Sequence, residues 1–130
     1  MAIQKNEIKF KDGFNGKLFA EKGSVAVGTA DGALLPYDLL FGALATCLYS
    51  TFVDVAKKKK ITYDSANVIV TGEKRKEIPA TLSWVNVVLE VKNASEEKGI
   101  LRSAELAIKY CSVYETISKV ADMNLEVKFI

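Results

Sequence analysis

From Leu39 to Val53 the chain is apolar nearly all round, closed by Asp38 before it and Asp54 after it. A helix with no polar face must be covered on every side, which places this run at the centre of a fold. Its length falls short of a bilayer, and Thr46, Ser50 and Thr51 interrupt it, so no membrane span is expected. Pro36 suits the opening of such a helix, and Lys57 to Lys60 suit its end, where cations complement the helix dipole. The helix is therefore expected from Pro36 to about Lys58.

The flanking segments read as strands and amphipathic helices. Glu7 to Lys11 alternates, Asp12-Gly13-Phe14-Asn15-Gly16 supplies turn residues, and Lys17 to Lys22 and Ser24 to Val27 continue the pattern, which predicts a small antiparallel meander. Gly28 to Pro36 reads as a loop. Ala66 to Glu73 and Leu82 to Lys92 predict two longer strands, with Arg75 to Pro79 in the turn between them. Ser95 is expected to cap a helix whose first turn holds Glu96 and Glu97, and Gly99 costs that helix about 1 kcal/mol relative to alanine. A last helix, Val113 to Ala121, leads to a closing strand, Leu125 to Ile130.

Strands, helix, strands, helices and strand, without βαβ alternation, predict an α+β class. With 130 residues, 49% of them hydrophobic, and no linker-like tract, one domain over residues 1–130 is expected. So few strands leave the apolar helix short of cover, and a second subunit is expected to complete it.

Charge and motifs exclude several functions. A net charge of +2 with two arginines, Arg75 and Arg102, is far from the footprint of a nucleic-acid binder. Lys57 to Lys60 is read as a solubilised helix end. No GxGxxG, Walker loop or H-E-x-x-H occurs, and without histidine no Cys/His metal site can form, so neither cofactor nor metal is expected. No leader of the charged-then-apolar kind opens the chain, which points to the reducing cytoplasm.

The chemistry-bearing residues are Cys47 and Cys111, each on the apolar stripe of a different helix. Two readings are open: ordinary core cysteines, or a pair of thiols that meet inside the fold. Ala43, Ala45 and Thr46 leave room beside Cys47. Cys111 ends the periodic run Ile100, Leu101, Ala104, Ile108 and is followed by Ser112-Val113-Tyr114-Glu115, a capping-box pattern. That places its thiol just before a helix start, where a thiolate is favoured. In a reducing compartment a disulfide between the two is expected to be transient and catalytic.

The segment Pro36-Tyr37-Asp38-Leu39-Leu40-Phe41-Gly42-Ala43-Leu44-Ala45-Thr46-Cys47 resembles the first cysteine motif of the osmotically inducible protein C and organic hydroperoxide resistance (OsmC/Ohr) family. Lys109-Tyr110-Cys111-Ser112-Val113 resembles its second motif. The resemblance implies an OsmC-like fold, with antiparallel sheets wrapped around central helices in an intertwined homodimer. It further implies a thiol-dependent hydroperoxide reductase acting in peroxide detoxification and the oxidative stress response. On that pattern Cys47 is the peroxidatic thiol, Cys111 the resolving one and Asp38 the acidic catalytic residue. The substrate is an organic hydroperoxide and a dithiol reductant regenerates the enzyme. The alternative is a non-catalytic, dimeric relative that binds a small ligand or senses redox state.

Two positions depart from the organic-hydroperoxide branch. Phe14 stands where that branch has an activating arginine, and Tyr37 where it has a glutamate. Without a cation, and buried on an apolar helix, Cys47 is expected to keep a pKa no lower than the ordinary value of about 8.5, unless Lys9, Lys11 or Lys17 supplies the charge.

Overall fold

The computed structural model describes residues 3–130, which divide after Leu40 into two compact units. In the first unit, β1 (Glu7–Phe10), β2 (Asn15–Phe19) and β3 (Ser24–Gly28) form the expected antiparallel meander. Asp12 and Gly13 take left-handed φ angles of 57° and 75°, and Lys11 N–H closes the turn on the Asn15 carbonyl at 2.8 Å. Gly28 ends β3 at φ 125°, and a side chain there would run into the Phe14 carbonyl. The close approach of two backbones therefore requires glycine at this position. Ile8, Phe10, Phe14, Leu18, Val27 and Leu34 line an apolar groove on the meander.

Helix α1 (Pro36–Lys58) starts in this unit and carries on into the second. It runs 23 residues, well past both ends of the apolar run, because Pro36 and the lysines are helical too. By length and composition alone it is long and apolar enough to cross a membrane, a test that core helices also pass. Its buried residues, Leu44, Leu48, Phe52 and Ala56, recur every fourth position, so the rest of the chain covers one stripe of the helix. That stripe makes it a core helix.

The second unit continues with β4 (Ser65–Lys74), β5 (Leu82–Lys92), α2 (Glu97–Tyr110), α3 (Ser112–Ser118) and β6 (Asp122–Phe129). Strands β4 and β5 pair antiparallel, with Val70 opposite Val87. Strand β6 instead lies parallel to β5, with Val87 opposite Leu125, so the sheet is mixed rather than antiparallel throughout. A parallel neighbour needs a long crossover, and α2 with α3 supplies one. The chain therefore does contain a strand–helix–strand connection. Central β5 is buried at Val85, Val87, Leu89 and Val91, whereas β4 and β6 alternate between partly covered and exposed. Ile100, Ala104 and Ala107 of α2 complete the core.

Two helix starts differ from expectation. Glu96, not Ser95, stands at the N-cap of α2, and no side chain bonds there. Ser95 is held elsewhere: its hydroxyl accepts Thr62 N–H at 3.0 Å and its own N–H donates to the Thr62 carbonyl at 2.8 Å. Helix α3 is capped by Cys111 rather than Ser112. Gly99 is explained by packing, since a Cβ there would strike the buried side chain of Ile61.

Candidate thiol site

The two cysteines meet within the second unit. Cys47 is half-buried on α1, and Cys111 is fully buried at the joint between α2 and α3. Cys111 is the single non-helical residue between those helices, with φ −75° and ψ 112°. Its N–H still donates to the Ala107 carbonyl at 2.8 Å, ending α2, while its carbonyl accepts Glu115 N–H at 3.0 Å, starting α3. Its sulfur accepts Tyr114 N–H at 3.4 Å. The bend this imposes carries the thiol to the α1 stripe, where Cys111 S–H donates to the Cys47 sulfur at 3.1 Å.

Electrostatics separate the two sulfurs. Burial pushes the Cys47 thiol up, but hydrogen bonds from the Val113 backbone, the Cys111 thiol and the Ser112 side chain and backbone outweigh it, and the net shift is downward. Burial also pushes Cys111 up. The Tyr114 N–H opposes that rise, but donation to Cys47 and the Cys47 charge add to it, so Cys111 holds its proton. The helix start thus lowers both thiols, as the capping-box pattern predicts for Cys111, but at Cys111 burial and the Cys47 sulfur outweigh it, so the net shifts are down at Cys47 and up at Cys111. The groups that lower Cys47 are neutral donors, none of them a lysine. Lys9 and Lys17 lie over the Phe19 ring in the meander, each 5.7 Å from its centroid.

Asp38, the third residue placed in the site from sequence, sits in the first turn of α1. Its Oδ2 accepts Leu35 N–H at 2.9 Å, the returning half of a capping box. Thr46 bonds back to the Gly42 carbonyl at 2.9 Å, and with Ala45, Tyr49, Ser50, Ala66 and Val68 it lines an open groove of about 330 Å³. Among the described residues no group of three or more His, Cys, Asp or Glu side chains is gathered that could hold a metal. Sequence reasoning did not anticipate Ser112 and Val113 among the groups that lower Cys47. The capping pattern marked the right residues, and the Val113 backbone acts on both thiols.

Chemically, the arrangement offers one sulfur as nucleophile and one retained thiol within reach of it. Closing 3.1 Å to a disulfide of about 2.05 Å asks for a side-chain shift of about 1 Å.

Comparison with known proteins agrees with the fold. The family model described as OsmC-like protein matches residues 28–126. An OsmC-like protein from Mycoplasma pneumoniae superposes with a TM-score of 0.88 at 19% identity, covering 99% of this chain and 98% of that one. A hypothetical protein from Aquifex aeolicus gives 0.87 at 20% identity, covering 100% and 99%. The organic hydroperoxide resistance protein OhrB of Bacillus subtilis gives 0.73 at 17% identity, covering 98% and 100%. No curated protein matches the sequence. With two small sheets and three helices among the described residues, and the family match across most of its length, this chain belongs to the OsmC-like protein family.

Proposed function

We propose that the protein is a cytoplasmic, thiol-dependent hydroperoxide reductase formed by a single OsmC-like domain over residues 1–130. The observation that carries this reading is the Cys111 thiol 3.1 Å from a Cys47 sulfur whose anion is favoured. The Cys47 thiolate attacks one oxygen of an organic hydroperoxide, the O–O bond breaks, and the alkoxide leaves and is protonated to the alcohol. Cys47 is then a sulfenic acid. The Cys111 sulfur attacks it, water departs, and a disulfide forms before further oxidation. A dithiol reductant restores both thiols. Asp38 serves by fixing the start of the helix that carries Cys47.

The active form is a homodimer. One subunit covers a single stripe of α1, and Ile69, Leu101, Tyr110 and Val120 are left exposed in the second unit. Sedimentation at micromolar concentration is expected to give twice the monomer mass, and a stable folded monomer would contradict this.

The function is tested with cumene hydroperoxide and a dithiol reductant. The parent consumes peroxide over many turnovers, Cys47→Ser loses turnover, and Cys111→Ser reacts once and stops at the sulfenic acid. Consumption by Cys47→Ser at the parental rate would sink the enzyme reading and favour a ligand-binding or redox-sensing role.

A further inference from the structure

Cys111 has little freedom except in its side chain. Its N–H donates to the Ala107 carbonyl at 2.8 Å and its carbonyl accepts Glu115 N–H at 3.0 Å, so the backbone is fixed on both sides. What is left is the rotation that sets where the sulfur points, for which three staggered positions exist. Tyr114, the third residue of α3, supplies the contact that chooses among them: its N–H donates to the Cys111 sulfur at 3.4 Å. From the same position the Cys111 S–H reaches the Cys47 sulfur at 3.1 Å. The side chains that cap helix starts best are those of Ser, Thr, Asp and Asn, whose acceptor is oxygen, so a sulfur here is the weaker choice for the helix. Its second contact, to Cys47, accounts for it better than the cap does.

We propose that Tyr114 is a positioning residue for the thiol pair, its backbone N–H holding the Cys111 side chain in the rotamer that presents the sulfur to Cys47. The proposal rests on Cys111 being the resolving thiol. In the resolving step the Cys111 sulfur bonds to the sulfur of the Cys47 sulfenic acid, the S–O bond breaks, and the Cys111 proton leaves with the hydroxide as water. A sulfur already held on the bonding side gives up no rotational freedom in that step, which raises its effective concentration at Cys47. Cys111 is fully buried and Cys47 half-buried, so the shift of about 1 Å that closes the disulfide falls to the Cys47 side chain, and the Tyr114 contact survives it.

The experiment exchanges single backbone N–H groups for ester oxygens, by placing at one position the α-hydroxy acid of the same side chain. At Tyr114 this removes the donor to the sulfur and keeps the ring. At Glu115 it removes the donor to the Cys111 carbonyl, a comparable loss at the start of α3 that leaves the sulfur alone. The equilibrium constant for the Cys47–Cys111 disulfide is measured against glutathione in the parent and in both esters. It is expected to fall about fivefold with the Tyr114 ester, the effect of one ordinary hydrogen bond, and to keep the parental value with the Glu115 ester. No change at Tyr114, or an equal fall in both, would overturn the proposal. Amide hydrogen exchange reads the contact on the unmodified backbone: Tyr114 N–H is expected to lose protection in Cys111→Ala and keep it in Cys47→Ala, and equal protection in the two would also overturn the proposal. Because glutathione takes the place of peroxide, a constant that falls as expected in a protein that consumes no hydroperoxide leaves the positioning role standing and removes the peroxidase reading alone.

Discussion

Cys47 and Cys111, 64 positions apart in sequence, stand with their sulfurs 3.1 Å apart, and the buried partner of the pair also caps a helix. Neither role of Cys111 excludes the other, because a divalent sulfur can accept Tyr114 N–H while its proton points to Cys47. The pair is therefore preassembled for oxidation. One equivalent of hydroperoxide is expected to produce an intramolecular disulfide with the loss of two hydrogens and no covalent dimer. Non-reducing electrophoresis with peptide mapping checks this, and a disulfide between subunits would contradict it.

The two thiols are expected to differ in reactivity with pH. The folded pKa of Cys47 is below its ordinary value, so the anion is favoured by the fold. The associated stability is fully present above the unfolded pKa and is lost as pH falls through the folded one. Cys111 shifts the opposite way. Near neutral pH, labelling of Cys47 is expected to exceed that of Cys111, because the larger thiolate fraction reacts faster. Equal rates, or a faster Cys111, would contradict the opposed shifts of the two thiols.

Much of this was legible in the sequence for identifiable reasons. Period-two alternation marked the meander of β1 to β3, and the Leu39 to Val53 run marked α1, because local patterning reports which face is covered. The strand partner of β6 was not legible, since the same alternating pattern from Asp122 to Phe129 serves parallel and antiparallel neighbours alike. The thiol electrostatics were half legible. Ser112-Val113-Tyr114-Glu115 announced a helix start, but which sulfur its N–H groups face depends on how α3 meets α1, a relationship between residues far apart in the chain.

Asp38 tests how much the start of α1 depends on its capping bond. Asp38→Ala removes the acceptor of Leu35 N–H and a negative charge from the first turn, where it complements the dipole. A loss of about 1 kcal/mol in urea unfolding is expected, with Asp38→Asn losing less because the acceptor oxygen remains. Equal losses would assign the effect to charge alone.

Gly28 is the least replaceable position in the meander. Gly28→Ala imposes a left-handed-side φ of 125° on a residue with a Cβ and drives that carbon into the Phe14 carbonyl. Backbone cannot yield as a side-chain end does, so a loss of about 2 kcal/mol or more is expected. Gly13→Ala shares the positive φ but meets no neighbour, so it is expected to cost less. Thermal unfolding of the two variants side by side separates contact from conformation.

Tyr49 and Tyr63 share a hydroxyl–hydroxyl hydrogen bond of 2.7 Å over the ring of fully buried Phe52, whose centroid lies 5.9 Å from one ring and 5.8 Å from the other. Either single change to phenylalanine leaves the other hydroxyl without its partner in a partly buried setting, at a cost of about 1 kcal/mol. The double variant removes both polar groups and keeps the rings, so it is expected to cost less than the two singles added, a coupling read directly from a double-mutant cycle. The pair also gives an alkaline signature. Burial, and then the bond to Tyr49, raise the Tyr63 pKa well above its ordinary 10.0. Above that value the unfolded chain loses this proton while the folded protein keeps it, so stability falls as pH rises toward the folded pKa. Tyr63→Phe is expected to flatten that alkaline decline in urea midpoints, even though it lowers stability at neutral pH. An additive cycle together with an unchanged alkaline slope would show that the two hydroxyls act independently.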